Sequence, residues 1–242
     1  MQKRIWELDA ARGICILGMV IFHLLYDLSY LFQVIDLSTN PLFHLVSQWG
    51  GVLFILISGI SATLGSRTVR RGLIVLGCGL LFTAVTIGLY LLRFSGRGII
   101  IWFGVLHCLG ICMLLWPLLR RLKTPWLLVI GVALSALGIW FKYGVRVDVQ
   151  YLFPLGLMHP SFASADYFPL LPNLGYFLIG AGLGRLLYPT RRSLLPKVNT
   201  QLFPVRFFCF CGRQSLLIYL LHQPILTALV ALLTTLFKEA SV

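Results

Sequence analysis

Seven long apolar stretches are the feature that most restricts how this chain can fold. They cover residues 13–32, 44–64, 72–92, 99–119, 125–141, 171–188 and 215–237. A helix rises about 1.5 Å per residue, so about 20 apolar residues cross a hydrocarbon layer of about 30 Å. Each stretch reaches or approaches that length, the fifth being the shortest. Because 59% of the residues are hydrophobic and 11% are charged, we expect an all-α, polytopic transmembrane bundle of about seven spans.

The chain is expected to form a single integral membrane domain over residues 1–242. Lys3 and Arg4 precede an apolar run, as in a signal peptide. However, Asp9 and Arg12 interrupt its start, the run is too long, and no small-residue cleavage site follows. We therefore interpret it as a retained first helix. Residues 200–214 are predicted to hold a short re-entrant or interfacial piece.

Basic residues divide unequally between the two ends of the predicted spans. With the N-terminus in the cytoplasm, fifteen of the 20 Lys and Arg residues lie on the cytoplasmic side and five lie outside. Such a bias is typical of cytoplasmic loops, so it indicates a cytoplasmic N-terminus. We expect the membrane to be a bacterial inner membrane. Topology and attraction to anionic lipid then explain the net charge of +13, and no nucleic-acid partner is expected.

His23 lies deep inside the first predicted span, and Asp27 follows four residues later. Residues at i and i+4 share one helical face. Ionisable side chains within a hydrocarbon layer are rare and usually face a bundle interior or a wet cavity. The pair therefore predicts a functional site.

Two further histidines are predicted at similar depth. His23 lies eleven residues, or about 16 Å, above Arg12. His222 lies nine residues, or about 14 Å, above Arg213, and His107 lies twelve residues, or about 18 Å, above the end of its helix. Each histidine alone is as well explained by a hydrogen bond between helices. Three at one depth, together with Asp27, favour a shared polar cavity.

Arginines at the predicted cytoplasmic rim are candidates for phosphate binding, although most are explained by the positive-inside bias. Arg12 and Arg213 are the strongest candidates, because each is predicted to open a helix that carries a buried histidine. Arg70 and Arg71 are included as further cofactor-binding candidates.

Metal binding is not expected. The six cysteines lie mostly in apolar runs, as small buried hydrophobic residues do. Cys108 and Cys112 have i, i+4 spacing, but no His or Asp accompanies them at matching spacing. The chain carries no Walker loop, dinucleotide-binding glycine motif or zinc-protease motif.

Four segments carry a resemblance to a known family. "LDAARGICILGMVIFHLLYDL", "WFGVLHCLG", "NLGYFLIGAGLGRLLY" and "GRQSLLIYLLHQPIL" resemble, in order, blocks of the heparan-alpha-glucosaminide N-acetyltransferase catalytic-domain family in its short bacterial form. The spacing from Arg12 to His23 is also similar to that of the membrane-bound acyltransferase family three.

The resemblance implies transfer of an acetyl group from acetyl-CoA to a hydroxyl or amine of an extracytoplasmic acceptor, often a sugar. It implies that Arg12 and His23 match the acyltransferase motif, and that His107, Arg213 and His222 match family positions. His44 is the nearest candidate for a histidine that the lysosomal enzyme carries after its first helix. Coenzyme A thioester, a glycan, glycolipid or amine acceptor and the bilayer are the expected partners, and a homodimer is left open.

The mechanism expected from these residues uses His23 as general base, oriented by Asp27, with His222 or His107 polarising the carbonyl. A route through acetyl-histidine is equally consistent with the residues. From a different class, a small transporter or flippase with a buried histidine site for protons or solute is the alternative function.

Overall fold

The computed structural model describes residues 5–94, 96–145 and 147–239, without the side chains of residues 150 and 236–239. Four of the basic groups used in the charge count lie outside that part, namely Lys3, Arg4, Arg146 and the side chain of Lys238. Eight α-helices are described: α1 Trp6–Tyr26, α2 Pro41–Leu64, α3 Thr68–Leu91, α4 Val105–Leu119, α5 Thr124–Gly144, α6 Leu170–Leu187, α7 Phe203–Arg213 and α8 Ser215–Glu239.

Six of these helices are long and apolar enough to cross a membrane, namely all except α4 and α7. The first counts as one span of 26 residues, Trp6–Leu31, because a π-helical turn, Asp27–Leu31, continues α1. Helix α4 is apolar but has only 15 residues. The protein is therefore a helical integral membrane protein, and the predicted fold class is confirmed.

The fourth and fifth predicted spans differ from the helices observed. Helix α5 has 21 residues and is not the shortest; α4 is shorter, because it begins at Val105 instead of near residue 99. The amides of Ile101 and Trp102 are bonded instead by the Thr86 and Ser164 hydroxyls, at 3.2 and 3.1 Å. Side-chain bonds of this kind hold the apolar segment before α4 out of helical conformation.

The described chain divides into two compact units. The terminal unit comprises residues 1–54 and 192–242, and the central unit comprises residues 55–191. The N-terminal part of α2 thus belongs to the terminal unit, and its C-terminal part to the central unit. The expectation of a single domain stays a prediction.

In the terminal unit, α1 packs against α7 and α8. A Cβ atom at Gly13 would overlap the carbonyl oxygen of Phe208, and one at Gly212 would overlap that of Asp9. Only glycine permits two backbones to approach this closely. The predicted short piece at 200–214 is thus α7, an 11-residue helix fixed to the start of α1.

The central unit is built around α3–α4 and α5–α6 pairs. Its core is apolar, with fully buried side chains from several helices. These include Ile55, Cys108, Cys112, Leu127 and Phe177. Among the described residues the extended backbone pairs at a single bridge, between Phe103 and Tyr167, just before α4 begins.

Candidate active site

The end of α1 carries the first two site residues. His23 is half-buried, and Asp27, four residues on, is 1% exposed. At Asp27 the α-helix changes into the π-helical turn, whose wider ring alters the direction of the side chains. Single π turns within α-helices are frequent at functional sites, and this one lies where a carboxyl group enters the protein interior.

The structure brings His23 and His222 together. Their ring centroids lie 4.9 Å apart at an interplanar angle of 78°, an edge-to-face arrangement. His23 Nδ1 lies 2.9 Å from the carbonyl oxygen of Met19, and His222 Nδ1 lies 2.7 Å from that of Tyr219. Because a carbonyl oxygen only accepts, each Nδ1 carries the proton in the neutral ring. Each Nε2 then holds a lone pair, as a base or nucleophile requires.

Asp27 and Gln223 join α1 to α8 beside the histidine pair. The Gln223 Nε2 amide donates to both carboxyl oxygens of Asp27, at 2.9 and 3.0 Å. The carboxyl group is therefore held from α8 by the side chain of Gln223.

The sequence-based mechanism uses Asp27 to orient the imidazole of His23. Among the described residues no hydrogen bond or ion pair joins the two side chains, since His23 donates to Met19 and Asp27 accepts from Gln223. Backbone carbonyls, which sequence spacing does not reveal, orient both imidazoles instead.

Two buried polar atoms beside the pair have no hydrogen-bond partner in the described part of the chain. They are Nε2 of His222 and Oε1 of Gln223. Both are acceptors, given the tautomer of His222 and the use of the Gln223 amide nitrogen by Asp27. Buried acceptors are nearly always satisfied, so two unsatisfied ones on adjacent residues indicate a place for a ligand that donates hydrogen bonds.

The predicted cofactor-binding arginines lie in both units. Arg12 is partly buried and forms an ion pair with Asp9 at 3.4 Å, and Arg213 ends α7 with an exposed side chain. Arg70 and Arg71 belong to the central unit and are exposed in the first turn of α3. The guanidinium of Arg12 is therefore partly neutralised by its neighbour.

His107 lies in the central unit, and both of its ring nitrogens have partners there. Its Nδ1 accepts from the Gly104 amide at 3.2 Å, so Nε2 carries the proton. Nε2 lies 3.2 Å from the Thr83 hydroxyl, which itself donates to the Ile101 carbonyl at 2.6 Å. His107 thus satisfies a free amide at the start of α4.

His44, the histidine suggested by the lysosomal enzyme, is exposed near the start of α2. Its Nε2 lies 2.7 Å from the Ser38 carbonyl oxygen. The neighbouring Phe43 stacks on Phe22 with 4.8 Å between ring centroids, and Phe22 meets the edge of the His23 ring at 5.7 Å. His44 is thus two aromatic side chains away from the pair formed by His23 and His222.

Gln223 is the site residue that sequence reasoning left out of its candidates. Its signal is a polar amide beside His222 in an otherwise apolar helix. No group of three or more His, Cys, Asp or Glu side chains in the described residues is arranged to hold a metal ion.

The fold and site define a helical integral membrane protein with a half-buried histidine pair. The family described as heparan-alpha-glucosaminide N-acetyltransferase, catalytic, matches residues 4–224. The chain belongs to this family, and the resemblance seen in the sequence is confirmed. Neither a curated protein nor a solved structure matches the chain.

Proposed function

We propose that this protein is a membrane-embedded acyltransferase. It moves an acetyl group from cytoplasmic acetyl-CoA to a hydroxyl or amine of an extracytoplasmic, sugar-containing acceptor. Membership in the N-acetyltransferase family supports the reaction class. The positive-inside bias of the loops supports the assignment of the two sides.

The observation that carries the proposal is the pair of unsatisfied acceptors at His222 Nε2 and Gln223 Oε1, next to His23. A hydroxyl or amine donates a hydrogen bond and then a proton. Both unsatisfied atoms accept. The site therefore suits an acceptor substrate whose O–H or N–H must be activated.

In the direct route a histidine Nε2 removes the proton as the acceptor oxygen or nitrogen attacks the thioester carbonyl carbon. A bond forms between acceptor and acetyl carbon, and the carbon–sulfur bond breaks. The coenzyme A thiolate leaves and takes up the proton that the histidine accepted. His23 and His222 both have the tautomer that this step requires.

In the alternative route a histidine Nε2 attacks the thioester itself. The carbon–sulfur bond breaks, and the coenzyme A thiolate takes up the Nδ1 proton of that imidazole. The neutral acetyl-histidine then passes its acetyl group to the acceptor, whose proton returns to the histidine. The two neighbouring rings suit this route too, since one can act as nucleophile and the other as base for the acceptor. We keep both routes, because only the second transfers a labelled acetyl group from acetyl-CoA to the protein before the acceptor reacts.

The phosphates of the donor are assigned to the arginines Arg12, Arg213, Arg70 and Arg71. Planar guanidinium groups bind phosphate oxygens in pairs, so they suit the phosphate groups of coenzyme A. Asp27 and Gln223 are assigned a positioning role, in which they hold α1 and α8 in register so that the two imidazoles meet.

The proposal is tested with purified full-length protein supplied with acetyl-CoA and a panel of amino sugars, glycolipids and simple amines. In the direct route, free coenzyme A should be released only when an acceptor is present. In the acetyl-histidine route, its release should accompany acetylation of the protein. His23→Ala and His222→Ala should each lower transfer about 100-fold or more. His159→Ala is the control histidine, because His159 is only partly buried and its Nδ1 bonds Ser161, two residues further along the chain.

Full transfer by both the His23→Ala and the His222→Ala variants would exclude the pair from the reaction. Failure of the wild-type protein to bind acetyl-CoA or release coenzyme A with any acceptor would overturn the acyltransferase proposal. Uptake of labelled solute into proteoliposomes without acyl donor would then favour a transporter.

A further inference from the structure

We propose that a cavity at one end of the central unit is a binding site for phosphate groups. This rim cavity has a volume of about 310 Å³ and lies where α2, α4 and α6 end. Three arginines line it, namely Arg120, Arg185 and Arg191, together with Trp116, Tyr188 and Gly65. Ligand cavities typically begin at about 300 Å³, so the space accommodates a phosphate group and part of its ester.

Arg185 is held rigidly in this cavity. Its Nη1 donates to the Leu122 carbonyl oxygen, and its Nη2 donates to the Arg120 carbonyl oxygen, both at 2.6 Å. Both acceptors lie just beyond the end of α4. Its guanidinium carbon lies 5.7 Å from the centroid of the Trp116 ring, and Trp116 is 4% exposed. A guanidinium has five N–H donors, so the two bonds leave donors for a ligand. The remaining donors are thereby fixed in direction before a ligand arrives.

Arg120 and Arg191 add exposed guanidinium groups from two separate segments. Arg191 has φ of +54°, a left-handed conformation that is uncommon outside glycine. Its amide donates to the Tyr188 carbonyl at 3.1 Å, which closes a tight turn after α6. This turn returns the chain to the cavity. Backbone conformations of this kind tend to cluster at ligand-binding sites.

The charge of the cavity favours an anion. Among the described residues no carboxylate lies within ion-pair distance of the three arginines. Asp166 binds the Val105 amide at the opposite end of α4. The three helix C-termini each carry about −0.5 elementary charge, which together offset about half of the three positive charges. Arg71 lies beside Gly65, and the N-terminus of α3, which begins at Thr68, adds about +0.5.

A phosphate monoester, diphosphate or phosphodiester is the ligand chemistry that this arrangement recognises. Guanidinium groups bind phosphate oxygens through paired N–H donors, and in the described part of the chain no ion pair with a carboxylate occupies the donors of these three arginines. The phosphate can belong to a soluble nucleotide or to the headgroup of an anionic lipid, and the test separates these sources. The proposal goes beyond acetyl transfer, because binding here requires no reaction.

The test compares two double variants of the full-length protein. Arg120→Ala/Arg191→Ala removes two cavity guanidiniums, whereas Arg121→Ala/Arg192→Ala removes the two neighbouring exposed arginines outside the cavity. Both change the net charge equally. Inorganic pyrophosphate binding is measured by calorimetry in neutral detergent. Phosphatidylglycerol retention is measured by native mass spectrometry after purification from phosphatidylcholine–phosphatidylglycerol nanodiscs.

The cavity variant should bind at least one probe about tenfold more weakly than both the wild type and the control variant. A difference for pyrophosphate identifies a soluble ligand, and a difference for phosphatidylglycerol alone identifies a lipid headgroup. Equal binding of both probes by the two variants overturns the proposal.

Arg120→Lys/Arg191→Lys covers the case in which the alanine pair does not fold. It keeps the charge but loses the planar fork, so it should weaken binding to an intermediate degree. If the alanine variant does not fold and the folded lysine variant binds both probes as tightly as the wild type, the proposal is also overturned. Each outcome is independent of whether acetyl transfer is found.

Discussion

The amide nitrogen of Gln223 lies 2.9 and 3.0 Å from the two carboxyl oxygens of Asp27. This contact joins α8 to the π-helical turn at the end of α1. Gln223 directly follows His222 in the sequence. A carboxyl group that is 1% exposed depends on such a partner, because burial removes its hydrogen bonds to water.

Gln223→Leu should therefore destabilise the protein. The substitution removes both hydrogen bonds that the Asp27 carboxyl group receives from the Gln223 amide. We expect a loss of about 1–3 kcal/mol in the free energy of unfolding, measured by denaturation in detergent. Gln214→Leu is the matched control, since the Gln214 side chain is exposed, and it should change little. An unchanged Gln223→Leu protein would show that the Asp27 contact does not contribute to stability.

The contact between α1 and α7 makes a second prediction. Gly13→Ala places a methyl group on the Phe208 carbonyl oxygen, and Gly212→Ala places one on that of Asp9. A backbone atom cannot move aside as a flexible side chain can, so each change should cost about 1–3 kcal/mol of stability, as overpacking does. The measurement is thermal unfolding of the purified variants.

Gly18→Ala controls for helix propensity in the same helix. A methyl group at Gly18 meets no atom within 4 Å, so the change should be neutral or stabilise by up to about 1 kcal/mol. Equal effects at Gly13 and Gly18 would contradict a tight α1–α7 contact.

Much of the membrane fold could be predicted from the sequence, because span length and hydropathy report directly on burial in lipid. The start of α4 could not, since it depends on the Thr86 and Ser164 hydroxyls bonding the amides of Ile101 and Trp102. These partners come from distant parts of the chain, and a hydropathy window treats residues 99–104 as helix.

The candidate site was predictable to a similar degree. Residue counts from Arg12 and Arg213 place His23 and His222 at similar depth, because helical rise is constant. The link from Asp27 to Gln223 depends on the π-helical turn and on the rotation of α8 against α1. Spacing within one helix suggests His23 as the partner of Asp27 and cannot reveal a partner across helices.

The contact between His23 and His222 predicts that their substitutions are not additive. His23→Ala and His222→Ala should each lower kcat about 100-fold or more, as expected for a lost acid–base group. If the two rings act as one unit, the double variant should retain the rate of the slower single variant. Steady-state release of coenzyme A with a saturating acceptor measures all three rates. Losses that multiply would show that the two histidines act independently.

The hydrogen bonds of His107 predict a role in stability. Its imidazole accepts from the Gly104 amide and donates to Thr83, so His107→Ala should leave the start of α4 unsatisfied. The expected loss is about 1–3 kcal/mol in the free energy of unfolding. Transfer by the folded fraction should stay within about tenfold of wild type, since no ring nitrogen is available for a substrate.

Thr83→Val provides an independent check on the same assignment. It removes the hydroxyl that His107 contacts and that donates to the Ile101 carbonyl, while keeping the shape of the side chain. The variant should lose stability in the same direction as His107→Ala, with transfer again retained. A His107→Ala protein with unchanged unfolding but no transfer would instead place His107 in the chemistry, because a purely structural histidine cannot give that combination.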